Sequence, residues 1–126
     1  MHGVSRPLSP HISVYRWQIT MSLSSLHRIT GLLLSLGALA LAIWLVALAS
    51  GSSAYAQVHE VYASAWFKAP LIGWTFCFFF HLANGVRHLA WDTGAGFERE
   101  RIRATGRAVV LAALVATVAF AAWAMF

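Results

Sequence analysis

Three long apolar stretches dominate the pattern of hydrophobic and polar positions along the chain. Residues 29–59, 69–86 and 108–126 contain no Asp, Glu, Lys or Arg and are 31, 18 and 19 residues long. Crossing about 30 Å of hydrocarbon takes roughly 20 helical residues. The first stretch is longer than a span requires, and its second half, from residue 50 onward, is polar enough to be a loop. The pattern therefore predicts three membrane-spanning helices, at about residues 21–49, 66–91 and 105–126.

The composition changes this picture little and excludes several other classes of protein. Of the 126 residues, 60% are hydrophobic and 10% are charged. Soluble domains carry about 25% charged residues, so the composition argues against a soluble monomer. The apolar content is too high for a disordered chain. The basic residues occur in too few places for nucleic-acid binding, despite a formal net charge of +5. The single cysteine, Cys77, excludes an internal disulfide framework and any cysteine-based zinc or iron–sulfur site.

We therefore expect an all-α membrane protein with a short N-terminal segment, residues 1–20, before a three-helix transmembrane domain, residues 21–126. The charges predict its orientation. Eight arginines fall on the N-terminal side of the three-span path and only Lys68 falls on the other side. Because positive residues concentrate on the cytoplasmic side, the N-terminus is expected in the cytoplasm or mitochondrial matrix, with the C-terminus opposite.

The second predicted helix carries a histidine within the membrane. His81 lies six residues before Arg87, roughly 9 Å deeper at 1.5 Å per residue. One helix face, at the spacing i, i+3, i+4 and i+7, holds His81, Asn84, Gly85 and His88. Gly85 leaves room for a flat ligand or another helix, and imidazole is a common axial ligand of haem iron. Two interpretations of His81 remain open: a haem ligand, or a histidine hydrogen-bonded across the helix bundle.

Spacing argues against both axial ligands of such a haem coming from this chain. The two ligand nitrogens lie roughly 4 Å apart across the iron, whereas His88 is about 10.5 Å from His81 along the helix axis. His27 adjoins Arg28 near the start of the first helix, at its cytoplasmic end, and His81 is expected to lie deeper. The other histidines fall in the tail or the outer loop: His2, His11 and His59. A six-coordinate haem at His81 would need its second ligand from another chain.

The start of the first helix holds a second polar group of residues. Ser24 and Arg28 are spaced i, i+4 and share a face, as do His27 and Gly31. One interpretation is structural: the serines cap the helix and Arg28 anchors it at the interface. The other is a polar pocket, in which His27 and Arg28 donate to haem propionates. Ser24 and Arg28 could also contact a quinone carbonyl oxygen, whose negative charge grows on reduction.

Two further features are weaker. His88 and Asp92 are spaced i, i+4 and could pair, either near propionates or as a simple surface ion pair. The arginine-rich stretch at residues 98–107 is expected to be a solvated loop facing anionic lipid, although it could dock a soluble partner.

Three motifs, in this order, resemble the family of succinate dehydrogenase cytochrome b556 subunits, the larger membrane anchor of respiratory complex II. RPLSPHISVY at residues 6–15 is similar to the N-terminal signature of the family. SSLHRITG at residues 24–31 is similar to its second signature, S-x-x-H-R-x-T/S-G. HLANGVRHLAWD at residues 81–92 is similar to the third, H-x-x-N-G-x-R-H-L-x-W-D. The three-helix layout also matches, so the resemblance covers residues 6–126.

This resemblance implies a haem b-binding anchor of succinate:ubiquinone oxidoreductase, set in a heteromeric helical bundle of a bacterial or mitochondrial inner membrane. It implies that His81 is an axial ligand of haem b, with the opposite histidine on the smaller anchor subunit. Ser24 and Arg28 would line the ubiquinone site with residues of the smaller anchor and of the iron–sulfur subunit. His27 and Arg28 would approach the haem propionates, and His88 is a further candidate. A flavoprotein subunit completes the implied set of partners.

Other functions remain alternatives. A quinol:fumarate reductase anchor would use the same machinery in reverse, and a purely structural anchor would bind neither haem nor quinone. A small transporter is disfavoured because no predicted span contains a carboxylate. With no Gly-rich dinucleotide fingerprint and no cysteine cluster in its sequence, the chain is not expected to oxidise succinate by itself.

Overall fold

Four helices make up the part of the protein that the structure describes. The computed structural model describes residue 11 and residues 14–125, and contains no strand within them. The helices are α1 (Ile19–Ala49), α2 (Ser52–Ala63), α3 (Ala65–Asp92) and α4 (Arg99–Met125). Helices α1, α3 and α4 are long and apolar enough to cross a membrane, which confirms the prediction of an all-α fold with three transmembrane helices. The motif at residues 6–15 lies largely outside the described residues.

The segment after α1 is helical, so the loop expected from its polar composition was wrong. Gly51, with a φ of +108°, reverses the chain before α2 begins. Tyr55, Val58 and Tyr62 recur at helical spacing and form a half-buried face. The Tyr62 hydroxyl donates to the carbonyl oxygen of Ala40 over 2.7 Å, which holds α2 against α1. The polar residues of this segment are the exposed face of an amphipathic helix rather than a loop.

Helix α4 begins earlier than the sequence pattern predicted. Gly94 and Gly96, with φ of +82° and +85°, form the turn after α3, and α4 starts at Arg99. The arginine-rich stretch is thus largely helical, which corrects the expected loop, although its arginines are exposed. Glu98 and Arg101 form an ion pair of 3.6 Å at the i, i+3 spacing that a helical turn brings together.

The three long helices meet in a small core near the start of α1 and the middle of α3 and α4. Leu23 of α1, Phe80 of α3, and Val109 and Ala113 of α4 are buried there. Gly106 permits this approach, because a Cβ atom at that position would lie 2.7 Å from Cδ1 of Leu23. Small residues at such crossings let transmembrane helices pack closely.

Most of the apolar surface of the spanning helices is left uncovered by the chain. In the most apolar windows of α1, α3 and α4, only 6%, 17% and 17% of the residues are buried. Soluble monomers rarely expose apolar surface on this scale. Lipid or other membrane helices must therefore cover these three helices.

Candidate functional site

His81 lies where α3 crosses α1, against the backbone of the neighbouring helix. Its Nδ1 atom is 3.1 Å from the carbonyl oxygen of His27 and 3.3 Å from the hydroxyl oxygen of Thr30. The Thr30 hydroxyl donates to the same His27 carbonyl over 3.0 Å. Thr30 is only 1% exposed, so this contact is closed to water.

These partners determine which ring nitrogen of His81 carries the proton. A carbonyl oxygen only accepts hydrogen bonds, so Nδ1 of His81 donates. The single hydroxyl hydrogen of Thr30 is used on the His27 carbonyl, so its oxygen can accept from Nδ1 as well. In the neutral ring Nε2 then carries the lone pair, and it makes no hydrogen bond to any described residue. A histidine with one N–H held by a carbonyl and the other nitrogen free is the usual form of a metal ligand.

Two glycines of the motifs affect the space around His81 in opposite ways. A Cβ atom at Gly31 would lie 3.0 Å from Cε1 of His81, so Gly31 allows α1 to reach the ring. A Cβ atom at Gly85 would meet no atom of this chain within 4 Å. The room expected beside Gly85 is thus present, on the face of α3 that carries His81.

His27 lies flat against the ring of His81, which corrects the depth expected for it. The two imidazoles are 3.8 Å apart between centroids and 10° from parallel. The sequence pattern placed His27 nearer the membrane surface than His81. Because α1 starts at Ile19 and α3 continues to Asp92, both histidines lie roughly two to three turns inside their helices. Nδ1 of His27 is buried without a hydrogen-bond partner among the described residues.

His88 completes a row of three imidazoles. Its ring centroid is 5.3 Å from that of His27, and its Nε2 lies 3.3 Å from Nδ2 of Asn84. The pairing considered for His88 and Asp92 is not found, because Glu98–Arg101 is the one ion pair among the described residues. Asp92 is exposed at the last residue of α3, whereas Asn84, about two turns earlier in the helix, is fully buried.

Ser24 and Arg28 lie on α1 on the N-terminal side of Thr30. Helix α1 starts at Ile19 after the N-cap residue Gln18, so the interpretation of the motif serines as caps was wrong. Ser24 is half-buried, whereas Ser25 and Arg28 are exposed. Neither Ser24 nor Arg28 makes a side-chain hydrogen bond to a described residue. Both are available to a ligand or a partner at this end of the bundle.

A buried arginine network beside the histidines was not predicted from the sequence. Arg87 is 7% exposed, and its Nε donates to the Thr105 hydroxyl over 3.0 Å. Its terminal nitrogens donate to the carbonyl of Ile102 over 3.1 Å and to Oδ1 of Asn84 over 3.4 Å. The available signal was the i, i+3 spacing of Asn84 and Arg87, which places two polar residues on one face of an apolar helix.

The described residues hold no group of three or more His, Cys, Asp or Glu side chains that could bind a metal ion. This finding bears on clustered metal sites and not on a haem, whose iron takes only axial ligands from a protein. A cavity of about 990 Å³ lies between α1 and α3, and no histidine lines it. His27, His81 and His88 are partly buried outside this cavity.

Comparison with known proteins identifies the family. Residues 3–120 match the model of the succinate dehydrogenase/fumarate reductase transmembrane subunit. The chain is 40% identical over 113 residues to a succinate dehydrogenase cytochrome b556 subunit of Rickettsia felis, covering 89% of this chain and 87% of the relative. It is 34% identical over 122 residues to the mitochondrial succinate dehydrogenase cytochrome b560 subunit of Sus scrofa, covering 95% and 72%.

These matches confirm the resemblance drawn from the motifs. The family match spans α1, α3 and most of α4 and includes both described motifs, at residues 24–31 and 81–92. The chain therefore belongs to the succinate dehydrogenase/fumarate reductase transmembrane subunit family, as a cytochrome b membrane anchor.

Proposed function

We propose that this chain is the haem b-binding anchor subunit of a succinate:ubiquinone oxidoreductase and forms part of its ubiquinone site. The observation that carries this proposal is the environment of His81. Its Nδ1–H is held by the His27 carbonyl, and its Nε2 is free to bind iron. The relatives are named as succinate dehydrogenase subunits, which favours succinate oxidation over fumarate reduction.

The residues around His81 fit a haem. The free Nε2 of His81 would bind the iron, and the open space at Gly85 lies on the same helix face. His27, Arg28 and His88 would supply N–H donors for the two propionates, and such charge-assisted bonds are the strong ones. When bound, haem b supplies one-electron redox chemistry. His27 and Thr30 keep His81 in one tautomer and one orientation.

The second axial ligand is proposed to come from the smaller anchor subunit. His27 lies against the flat side of the His81 ring, so it would not share an iron bound by Nε2 at the edge of that ring. His88 is bonded through Nε2 to Asn84. Neither histidine is placed to bind iron opposite His81, which supports a partner chain as the source.

Ser24 and Arg28 are proposed to bind ubiquinone at the interface between this chain, the smaller anchor and the iron–sulfur subunit. The exposed guanidinium of Arg28 would stabilise the negative charge that develops on a quinone oxygen during reduction. The half-buried Ser24, one turn away, would orient that oxygen. Electrons are proposed to arrive from a flavoprotein that oxidises succinate, through the iron–sulfur subunit.

The proposed location is a bacterial inner or mitochondrial inner membrane, with the N-terminus on the cytoplasmic or matrix side. The start of α4 carries four exposed arginines, whereas Lys68 is the only Lys or Arg of α2 and of the start of α3. Positive residues in short loops mark the cytoplasmic side. Bacterial and mitochondrial relatives both occur among the similar proteins.

The reduced-minus-oxidised optical spectrum of the purified complex tests the haem assignment. We expect a low-spin b-type spectrum that is lost or altered by His81→Ala and unchanged by His59→Ala, a matched variant on the exposed face of α2. No haem in the intact complex would leave a quinone-only or structural anchor. An unchanged spectrum in His81→Ala would mean that the iron is bound elsewhere.

A further inference from the structure

The guanidinium of Arg87 is fixed in place although no carboxylate pairs with it among the described residues. It is 7% exposed and donates to the Thr105 hydroxyl and the Ile102 carbonyl of α4 over 3.0 and 3.1 Å. Its Cζ lies 4.0 Å from the centre of the Trp91 ring, a cation–π contact. A charge this well buried is rare near a membrane and commonly has a function.

Arg87 determines which way the amide of Asn84 points. A guanidinium only donates hydrogen bonds, so the Asn84 atom that faces it at 3.4 Å is the oxygen, Oδ1. The amide nitrogen of Asn84 must then point the other way, towards His88. Asn84 is 0% exposed, so water does not compete for either end of the amide.

The amide nitrogen of Asn84 in turn determines the tautomer of His88. That NH₂ group is a donor, and it lies 3.3 Å from Nε2 of His88, so Nε2 accepts. The neutral ring therefore carries its proton on Nδ1, which makes no hydrogen bond to a described residue. The edge-to-face contact with Trp91, 5.2 Å between centroids, and the neighbouring His27 ring hold the imidazole in this orientation.

We propose that Arg87 and Asn84 are positioning residues that keep His88 as its Nδ1–H tautomer, so that it donates to a carboxylate of the bound haem. This inference rests on the proposed function, in which His88 is one of the propionate donors. Without the two residues either ring nitrogen could carry the proton, and the wrong tautomer would direct a lone pair at the carboxylate. This chain of hydrogen bonds from Arg87 through Asn84 to His88, here called the relay, fixes the tautomer of a neutral imidazole. It places no further charged group next to that imidazole.

Two substitutions of similar shape separate the steps of this relay. Asn84→Asp keeps an oxygen for Arg87 and replaces the NH₂ group by an acceptor, which favours the opposite tautomer of His88. His88→Asn places an amide N–H near the former Nδ1 position, and this donor does not depend on the residue at position 84. The effect of Asn84→Asp should therefore depend on the residue at position 88, which a double-mutant cycle measures.

The readout is the midpoint potential of the haem in the intact complex, from optical redox titration of the wild type, both single variants and the double variant. Loss of a donor to a propionate leaves more negative charge beside the iron, so we expect Asn84→Asp to lower the potential. The negative charge of the aspartate introduced at position 84 also lowers the potential, but it does so equally whether residue 88 is His or Asn. A larger downward shift beside His88 than in the His88→Asn background supports the relay, and equal shifts overturn it.

A second pair of variants tests the proposal if Asn84→Asp does not assemble. His88→Asn keeps a donor near Nδ1, whereas His88→Gln places its amide nearer the former Nε2. We expect a near-wild-type potential for His88→Asn and a lower one for His88→Gln, and the reverse order would overturn the relay. A wild-type complex without haem would overturn the proposed function itself, and with it this role of His88.

Discussion

The imidazole of His27 lies flat on that of His81, with 3.8 Å between the ring centroids. The backbone carbonyl of the same residue accepts the Nδ1–H of His81 over 3.1 Å. Helix α1 thus contacts the His81 ring twice, at the flat side of the ring through the His27 imidazole and at Nδ1 through the His27 carbonyl. Arg28 is the next residue of α1, so one short segment holds the proposed iron ligand and supplies the proposed quinone contact. Substitutions in this segment can distinguish the two roles.

Thr30→Val should weaken haem retention without removing the iron ligand. It removes the hydroxyl that lies 3.3 Å from Nδ1 of His81, while the His27 carbonyl remains. Loss of a hydrogen-bond partner of a metal-ligating histidine costs about 10- to 100-fold in affinity. The rate of haem transfer from the purified complex to excess apomyoglobin measures this effect.

The matched control for Thr30→Val is Thr30→Ser, which keeps the hydroxyl and loses only the methyl group. We expect wild-type haem transfer from Thr30→Ser. Equally fast transfer from both variants would mean that Thr30 acts through packing and not through its hydrogen bond to His81.

Gly31→Ala should displace the ring of His81. The new Cβ atom would lie 3.0 Å from Cε1, inside normal contact distance, and overpacking of this kind costs about 1–3 kcal/mol. Haem content per complex should fall, and the absorption band of the remaining haem should broaden. Gly73→Ala is the matched control, because a Cβ atom there meets nothing of this chain within 4 Å. A similar loss of haem in both variants would contradict a local effect on His81.

The spanning helices could be predicted from the sequence because lipid imposes a simple requirement. Each span needs about 20 apolar residues without charge, and only three stretches provide them. The length of an apolar stretch gave no indication of α2, because this helix is partly polar and does not span the membrane. Its helical signal is the spacing of Tyr55, Val58 and Tyr62, which is visible only if short amphipathic periodicity is considered.

The motifs supplied the proposed ligand and donor residues, but the contacts among them could not be predicted. Motif spacing places His81 and His88 on one face of one helix. It does not give the register between α1 and α3, and this register brings His27 onto His81. The bonds of Arg87 to α4 depend in the same way on where α4 begins, which the pattern placed too late.

Arg87→Leu should lower the stability of the complex more than loss of an exposed arginine. It removes the bonds to Thr105 and Ile102 that join α3 to α4, and hydrogen bonds to charged groups contribute about 1.5–3 kcal/mol each. Arg103→Leu is the matched control on exposed α4 surface, where substitutions change stability by about 0.5 kcal/mol or less. Thermal unfolding of the detergent-solubilised complex measures both, and equal Tm values for the two variants would contradict a role for Arg87 in joining the helices.

Arg28→Ala should lower quinone reduction far more than succinate oxidation measured with a soluble dye. Its side chain is exposed and makes no hydrogen bond to a described residue, so its removal should not disturb the helix bundle. Removing one group that stabilises developing negative charge costs about 100-fold or more in kcat. Parallel assays with ubiquinone and with the dye give the ratio, and an equal loss of both activities would assign Arg28 to assembly instead.

Ser24→Ala should produce a smaller loss of quinone reduction than Arg28→Ala, with Ser25→Ala unchanged. A neutral hydrogen bond contributes about 1 kcal/mol, so we expect quinone reduction to fall about fivefold in Ser24→Ala. The two serines are adjacent and chemically identical, but Ser24 is half-buried and Ser25 is exposed. Ser25→Ala therefore controls for any general effect of removing a hydroxyl from this part of α1. A greater loss of quinone reduction in Ser25→Ala than in Ser24→Ala would assign the quinone contact to Ser25 instead.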